Sequence, residues 1–347
     1  MTANPPADPP ANRMADRAGT RSELQGPAAP DPGAVGRVAV IGAGTIGASW
    51  AAVFLSRGMS VAVSDPNPAA EAAVRGLIAQ AWPALERLGL APGADPEKWS
   101  FHTDPRDAAR GARFVQENAP ERHEVKRALY AALEEALDND VIVASSTSGL
   151  MMSELQQGCR VPGRFAVGHP FNPPHLIPLV EVVGGRDTAA GTIEWLLAFY
   201  RAVGKRPIRL NREVPGHLAN RLQAALWREA VHAVASGLAS VEDVDTAIAE
   251  GPGLRWAIMG PNMIFNLAGG AGGMSHFLDH IGPAMEDWWR DLGTPALTPE
   301  LRDQLTAGMR EALHGRSQAD LAQERDRLLL ALIETLQQER RSLRSGS

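Results

Sequence analysis

The sequence holds one cysteine, Cys159, two tyrosines, and no apolar run long enough to span a bilayer. A single cysteine excludes an intramolecular disulfide and fits a reducing compartment, so the expected location is the cytoplasm. Without a long apolar run, no membrane-spanning helix and no membrane partner are expected. Lys and Arg number 34 against 40 Asp and Glu, for a net charge of −6, and no long basic run occurs. Nucleic acid is therefore not an expected partner. Metal-ligand spacing is also missing: prolines separate His169 from His175 and no third ligand follows, so no metal is expected. Cys159 has no dyad partner among its neighbours and reads as a half-buried bystander.

The 347 residues suffice for two domains with a sizeable core. Residues 1–34 are rich in Pro, Ala and Asp and lack the apolar segment of a secretory signal. They read as a disordered tail, or as sequence ahead of a later start codon.

What the chain does have is a nucleotide-binding turn. Arg37-Val-Ala-Val-Ile41 reads as a strand, runs into Gly42-x-Gly44-x-x-Gly47, and an apolar helix starts inside the motif. The first glycine permits the tight turn, the second lets a pyrophosphate reach the backbone, and the third lets helix and strand pack closely. Thr45 and Ile46 then lie at the helix start, where free N–H groups face an anion. A second strand, Val61-Ala-Val-Ser, ends in Asp65, about 20 residues on, where a carboxylate would bond the ribose hydroxyls of an adenosine. That carboxylate repels a 2′-phosphate, and the first following arginine is Arg75, so the expected cofactor is NAD rather than NADP.

Strands are predicted at 37–41, 60–64, 112–116, 140–145, 164–168, 178–183 and 206–210, and helices at 46–57, 68–88, 121–137 and 190–203. This alternation implies an α/β fold: a Rossmann-type, doubly wound, mostly parallel sheet over residues 35–212. From 213 to 347 the pattern becomes all-helical. Leu218, Leu222, Leu226, Ala230 and Val234 recur at helical spacing, and Ser240-x-x-Asp243 opens a helix that Gly251 ends. Thr298-Pro299-Glu300 opens another, and a long charged helix carrying Leu328, Leu332 and Leu336 closes the chain. The stretch 268–273 lacks the preceding strand and lysine of a phosphate loop and reads as an inter-helix loop.

Oxidising an alcohol needs a base for the proton and donors for the developing oxyanion. Glu181 lies inside an apolar strand, and a buried carboxylate without a partner is costly. His169 is the natural partner: a carboxylate on one ring nitrogen fixes the tautomer and leaves the other nitrogen as a base. Spacing alone leaves open that His169 is a structural histidine.

Several motifs together resemble the 3-hydroxyacyl-CoA dehydrogenase superfamily. They are the glycine fingerprint, Gln116-Glu-Asn118, Ser145 to Gly149, Gly168-His-Pro-Phe-Asn-Pro173, Leu179-Val-Glu-Val-Val183, Pro215-Gly216 and Asn220-Arg-Leu222. The resemblance implies that His169 is the catalytic base and Glu181 the carboxylate that orients it. Ser148 and Asn220 match positions that hold the substrate oxygen and align the nicotinamide. Asn172 matches an asparagine beside the histidine, and Glu117 an acid near the nicotinamide ribose. One departure is Ser146, where the acyl-CoA members commonly carry asparagine. The resemblance also implies a homodimer paired through the helical domain.

Within the superfamily the pattern is similar to the branch acting on free 3-hydroxy acids, including L-carnitine and L-gulonate. The segment after Asp65 supplies only Arg75, Arg87 and Lys98, few charges for the phosphates of CoA. Gly253-Leu-Arg-Trp256 adds Arg255, suited to a free carboxylate, and Trp256, suited to a trimethylammonium head. A surface arginine and a core or interface tryptophan are the plainer readings of that pair. The expected substrate is a small 3-hydroxy acid, L-carnitine first. The alternatives are a 3-hydroxyacyl-CoA, L-gulonate, or a non-catalytic NAD-binding protein.

Overall fold

The computed structural model describes residues 31–345. All but the last few residues of the expected tail thus lie outside the described residues. Those last few depart from the expectation: Pro32–Ala34 form a short 3₁₀ turn, and Val35 behind it is buried.

Among the described residues, eight strands form one sheet. They are β1 (Arg37–Ile41), β2 (Ser60–Ser64), β3 (Trp99–His102), β4 (Phe114–Glu117), β5 (Ile142–Ser145), β6 (Phe165–Pro170), β7 (Leu179–Gly184) and β8 (Arg206–Arg209). Their spatial order is 3-2-1-4-5-6-7-8. Every neighbouring pair is parallel except β6 and β7, which run antiparallel. The order of strands reverses between β1 and β4, and ligands of open α/β sheets gather at such a switch.

The helices of this half are α1 (Thr45–Ser56), α2 (Ala70–Leu88), α3 (Pro105–Ala109), α4 (His123–Ala136), α5 (Met152–Leu155) and α6 (Ala190–Ala202). They cover both faces, and β1 shows why. Its side chains alternate: Val38 and Val40 pack with α1, α2 and α6, while Ala39 and Ile41 pack with the α3, α4 and α5 side. Helix α1 is buried from Gly47 to Ser56, so its apolar residues run all the way round.

The sequence reading missed β3, α3 and α5. Strand β3 is a four-residue edge strand of Trp99-Ser-Phe-His102, too short for its alternation to stand out. The two helices have five and four residues, barely a turn each.

The second half is helical: α7 (Ala219–Ala235), α8 (Val241–Ala249), α9 (Pro252–Ile258), α10 (Pro261–Ala268), α11 (Gly273–His280), α12 (Gly282–Asp291), α13 (Pro299–Ala312) and α14 (Gln318–Ser345). Ser240 and Thr298 cap α8 and α13, accepting from the Asp243 and Leu301 N–H groups. The stretch 268–273 joins α10 to α11 through a 3₁₀ turn. No helix of the described residues is long and apolar enough to cross a membrane.

Candidate active site

The glycine turn after β1 shows in atoms what each glycine does. Gly42 has φ +94°, and a Cβ there would lie 2.5 Å from the Asn118 carbonyl oxygen. A Cβ on Gly47 would meet the Gly42 oxygen at 1.8 Å, so the helix can approach the strand only without a side chain. A Cβ on Gly44, in contrast, would meet nothing within 4 Å. That is the open cradle a pyrophosphate needs. The N–H groups of Thr45, Ile46 and Gly47 precede the first intrahelical bond, Ala48 N–H to Gly44 O, and no side chain caps them.

Asp65 closes the other end of this cradle. Its Oδ2 accepts from Ala43 N–H at 3.0 Å and its Oδ1 from Asn67 N–H at 3.0 Å. Arg75 is already engaged, with Glu97 at 2.7 Å and with Trp99 beneath its guanidinium at 5.1 Å. No free arginine from that helix meets a 2′-phosphate, and the turn fits NAD.

His169 and Glu181 face each other directly across the antiparallel pair β6/β7. His169 Nδ1 lies 2.9 Å from Glu181 Oε2, with both side chains buried. Because the carboxylate can only accept, Nδ1 carries the proton in the neutral ring, and Nε2 keeps a lone pair. The other carboxylate oxygen, Oε1, accepts from Leu218 N–H and Ala219 N–H, each at 2.9 Å, at the start of α7. Burial works against ionisation of Glu181, but the bonds from His169, Ala219 and Leu218 outweigh it and its pKa is lowered. The residue before His169 is fixed by packing: a Cβ on Gly168 would lie 2.0 Å from the Tyr200 hydroxyl.

Ser148 lies on the loop leaving β5, the strand next to β6, at the same sheet edge. Its N–H and that of Gly149 donate to Glu121 Oε1 at 2.8 and 3.0 Å, as does the Thr147 hydroxyl at 2.6 Å. Asn220, in the first turn of α7, reaches the Ser148 carbonyl with its Nδ2 at 3.4 Å. The sheet edge thus collects His169, Glu181, Ser148 and Asn220. Asn172 is exposed on the loop after β6, just before a cis Asn172–Pro173 bond.

Glu117 is a correction. The resemblance sets it beside the nicotinamide ribose, but the side chain is wholly buried with four donors on it. Lys126 Nζ and Ala119 N–H bond Oε1 at 2.6 Å each, and the Tyr130 and Ser145 hydroxyls bond Oε2 at 2.9 and 2.6 Å. A carboxylate has about four lone-pair sites, so none remains for a ligand. Glu117 ties the ends of β4 and β5 to α4. Next to it, Ser146 donates to Asn118 and accepts from Gln116, which in turn accepts from Tyr200. The departure at Ser146 is therefore absorbed by a closed chain of hydrogen bonds.

Arg255 and Trp256 are not brought to this edge. They sit exposed on α9 within the helical half, and no side-chain hydrogen bond or ion pair engages Arg255 among the described residues. His175 Nδ1 bonds Ser49 Oγ at 2.9 Å, away from His169. Burial pushes the Cys159 thiol up to about 11, which leaves it inert as a nucleophile.

Sequence reading missed Glu121 and His217. The His217 ring centroid lies 5.1 Å from that of His169. The available signal for His217 was its place after Pro215-Gly216, a turn that His tolerates better than most residues.

Two family descriptions match this chain. Residues 37–214 match "3-hydroxyacyl-CoA dehydrogenase, NAD binding domain", and residues 216–310 match "3-hydroxyacyl-CoA dehydrogenase, C-terminal domain". The chain belongs to the 3-hydroxyacyl-CoA dehydrogenase family. It is accordingly an NAD-dependent oxidoreductase acting on a CH–OH group. Among its relatives are the L-carnitine dehydrogenases of Streptomyces griseus and Pseudomonas putida. The first is 53% identical over 89% of this chain and 92% of its own, and the second 45% over 88% and 95%. Among solved structures, 5-formyl-3-hydroxy-2-methylpyridine 4-carboxylic acid 5-dehydrogenase, an NAD+-dependent dismutase, aligns with TM-score 0.77 and 30% identity, covering 87% of this chain and 99% of its own. The 3-hydroxybutyryl-CoA dehydrogenase of Escherichia coli aligns at 0.58 and 33% identity, over 67% and 49%.

Proposed function

We propose that this protein oxidises the 3-hydroxyl of L-carnitine with NAD. Gly42, Gly44, Thr45, Ile46, Gly47 and Asp65 would hold NAD by its pyrophosphate and adenosine ribose, and NAD would supply the hydride acceptor. His169 Nε2 takes the hydroxyl proton, and the ring then carries a positive charge against Glu181, its partner at 2.9 Å. Ser148 and Asn220 hold the substrate oxygen, and Asn172, exposed on the loop beside the base, contributes to the cofactor site. Within one chain Arg255 and Trp256, exposed on α9, lie away from this site and are assigned no contact with the substrate.

The observation that carries this reading is the His169–Glu181 pair, set in a chain 43–53% identical to the L-carnitine dehydrogenases compared with it. Support for a free acid over a thioester comes from the identity to the L-carnitine dehydrogenases and from the carboxylic acid that names the neighbour with TM-score 0.77. The test is a substrate panel of L-carnitine, L-gulonate, 3-hydroxybutyrate and its CoA ester, followed at the nicotinamide absorbance band. L-carnitine gives the highest kcat/KM; a higher value for the CoA ester would overturn the substrate assignment.

The protein works as a homodimer closed through its helical half. The support is the apolar surface there: apart from Leu90, every strongly exposed large hydrophobic residue among those described lies at or beyond Leu218. Exposed apolar side chains in this number fit a second copy, and Trp256 of α9 is among them.

A further inference from the structure

We propose that His217 is a positioning residue for the reaction at His169, holding the loop that bears Ser148 at a fixed place beside the base. The ring is buried, and its Nε2 lies 2.9 Å from the Thr147 carbonyl oxygen, one residue before Ser148. A carbonyl can only accept, so Nε2 carries the hydrogen and Nδ1 is a bare lone pair. That Nδ1 is buried and has no hydrogen-bond partner among the described residues. The backbone of His217 is also in the left-handed region, with φ +52°, uncommon for a residue other than glycine. Beside it, a Cβ on Gly149 would lie 3.8 Å from Gly216 N, so the Pro215–Gly216–His217 turn sits directly against the serine loop.

Two unfavourable features therefore meet at one residue, 5.1 Å from the base. Packing alone does not account for them, since a phenylalanine would fill the same volume without burying a bare nitrogen. The bond to Thr147 does account for them. It links the loop after β5 to the turn before α7, with the His169 ring of β6 packed 5.1 Å away, and these three elements must agree for Ser148, His169 and Asn220 to act on one oxygen. Burial keeps the His217 ring neutral, and a charged His169 works in the same direction. The bond to the Thr147 carbonyl, and after it the carboxylates of Glu181 from β7 and Glu121 from the loop before α4, oppose both effects without outweighing the burial. Of the two rings, only that of His169 is bonded by Glu181.

This rests on the reading of His169 as the base. The test compares two variants of the full chain with L-carnitine and NAD. In His217→Asn the amide accepts the left-handed backbone but stops short of Thr147. In His217→Gln the longer amide brings an N–H to the position of Nε2. H217N is expected to lower kcat by about tenfold or more, with KM for NAD within about twofold of wild type. H217Q is expected to recover kcat to within about threefold. Wild-type kcat in H217N, or an H217Q as slow as H217N, would overturn the proposal. Should H217N not fold by thermal melt, a folded H217Q slowed tenfold overturns it, and near-wild-type turnover supports it. If wild-type protein ignores L-carnitine, only the substrate reading falls, and the same comparison is made with the panel member it turns over fastest.

Discussion

The two halves of this chain bury their apolar residues in opposite ways. In the sheet half, two large cores form, one on each face, and neither includes a residue beyond Leu210. Trp50, Phe54, Phe114, Trp195, Phe199 and Tyr200 stack through one of them. In the helical half, the buried hydrophobics among the described residues are Val231, Val234, Phe277, Leu301 and Leu330. Trp227, Trp288 and Trp289 are each more than half exposed. Along α7 the helical stripe is present, yet Leu222 is 60% exposed. The sheet half is complete within one chain, whereas the helical half carries an amphipathic pattern whose apolar side has no cover of its own.

The sharpest break of this comparison is chemical. His169→Gln is expected to lower kcat by ~10²-fold or more while NAD affinity, read by fluorescence titration, stays almost unchanged. Near wild-type turnover would remove His169 from the role of base. The next is on the other half: light scattering at micromolar concentration is expected to give the mass of two copies. Leu222→Glu sets an unpaired charge on the exposed stripe and is expected to weaken self-association by about 30-fold or more. A wild-type monomer would mean that the apolar face serves something else.

Gly44→Val tests the cradle. With nothing within 4 Å of the added Cβ, stability holds, but the branched side chain fills the space meant for a pyrophosphate. NAD affinity is expected to fall by about tenfold, measured beside an unchanged thermal midpoint. The smallest effect is a pH slope. Burial lowers the His175 pKa from 6.5 to about 4. The unfolded chain takes its proton near 6.5 and the folded chain only near 4, so stability is full above 6.5 and is lost as pH falls across that window. The loss is roughly 1 kcal/mol once screening of a half-buried ring is allowed for. His175→Asn is expected to flatten the slope of thermal midpoint against pH.

How much of this was legible differs between halves for physical reasons. Every strand but β3, the glycine turn and Asp65 could be read because local rules place them: short runs of strand-forming apolar residues, a turn only glycine permits, and an acid at a strand end. The facing of His169 and Glu181 could be read because a carboxylate in an apolar strand demands a partner. Glu117 could not, since its saturation depends on Lys126, Tyr130 and Ser145 arriving from α4 and β5. The same holds for His217, whose significance lies in a carbonyl 70 residues earlier in the chain. In the helical half, Leu218, Leu222 and Leu226 announced a helix correctly, but periodicity tells which side is apolar and not whether the same chain covers it.

One carboxylate belongs to both halves. Glu181 is anchored by the His169 imidazole on one oxygen and by the leading amides of α7 on the other. Cutting the chain after β8 would spare the grip on a nucleotide but strip two of the three donors that hold this anion in place. The ring above it would then lean on a looser support, so nucleotide binding and turnover part company at that cut.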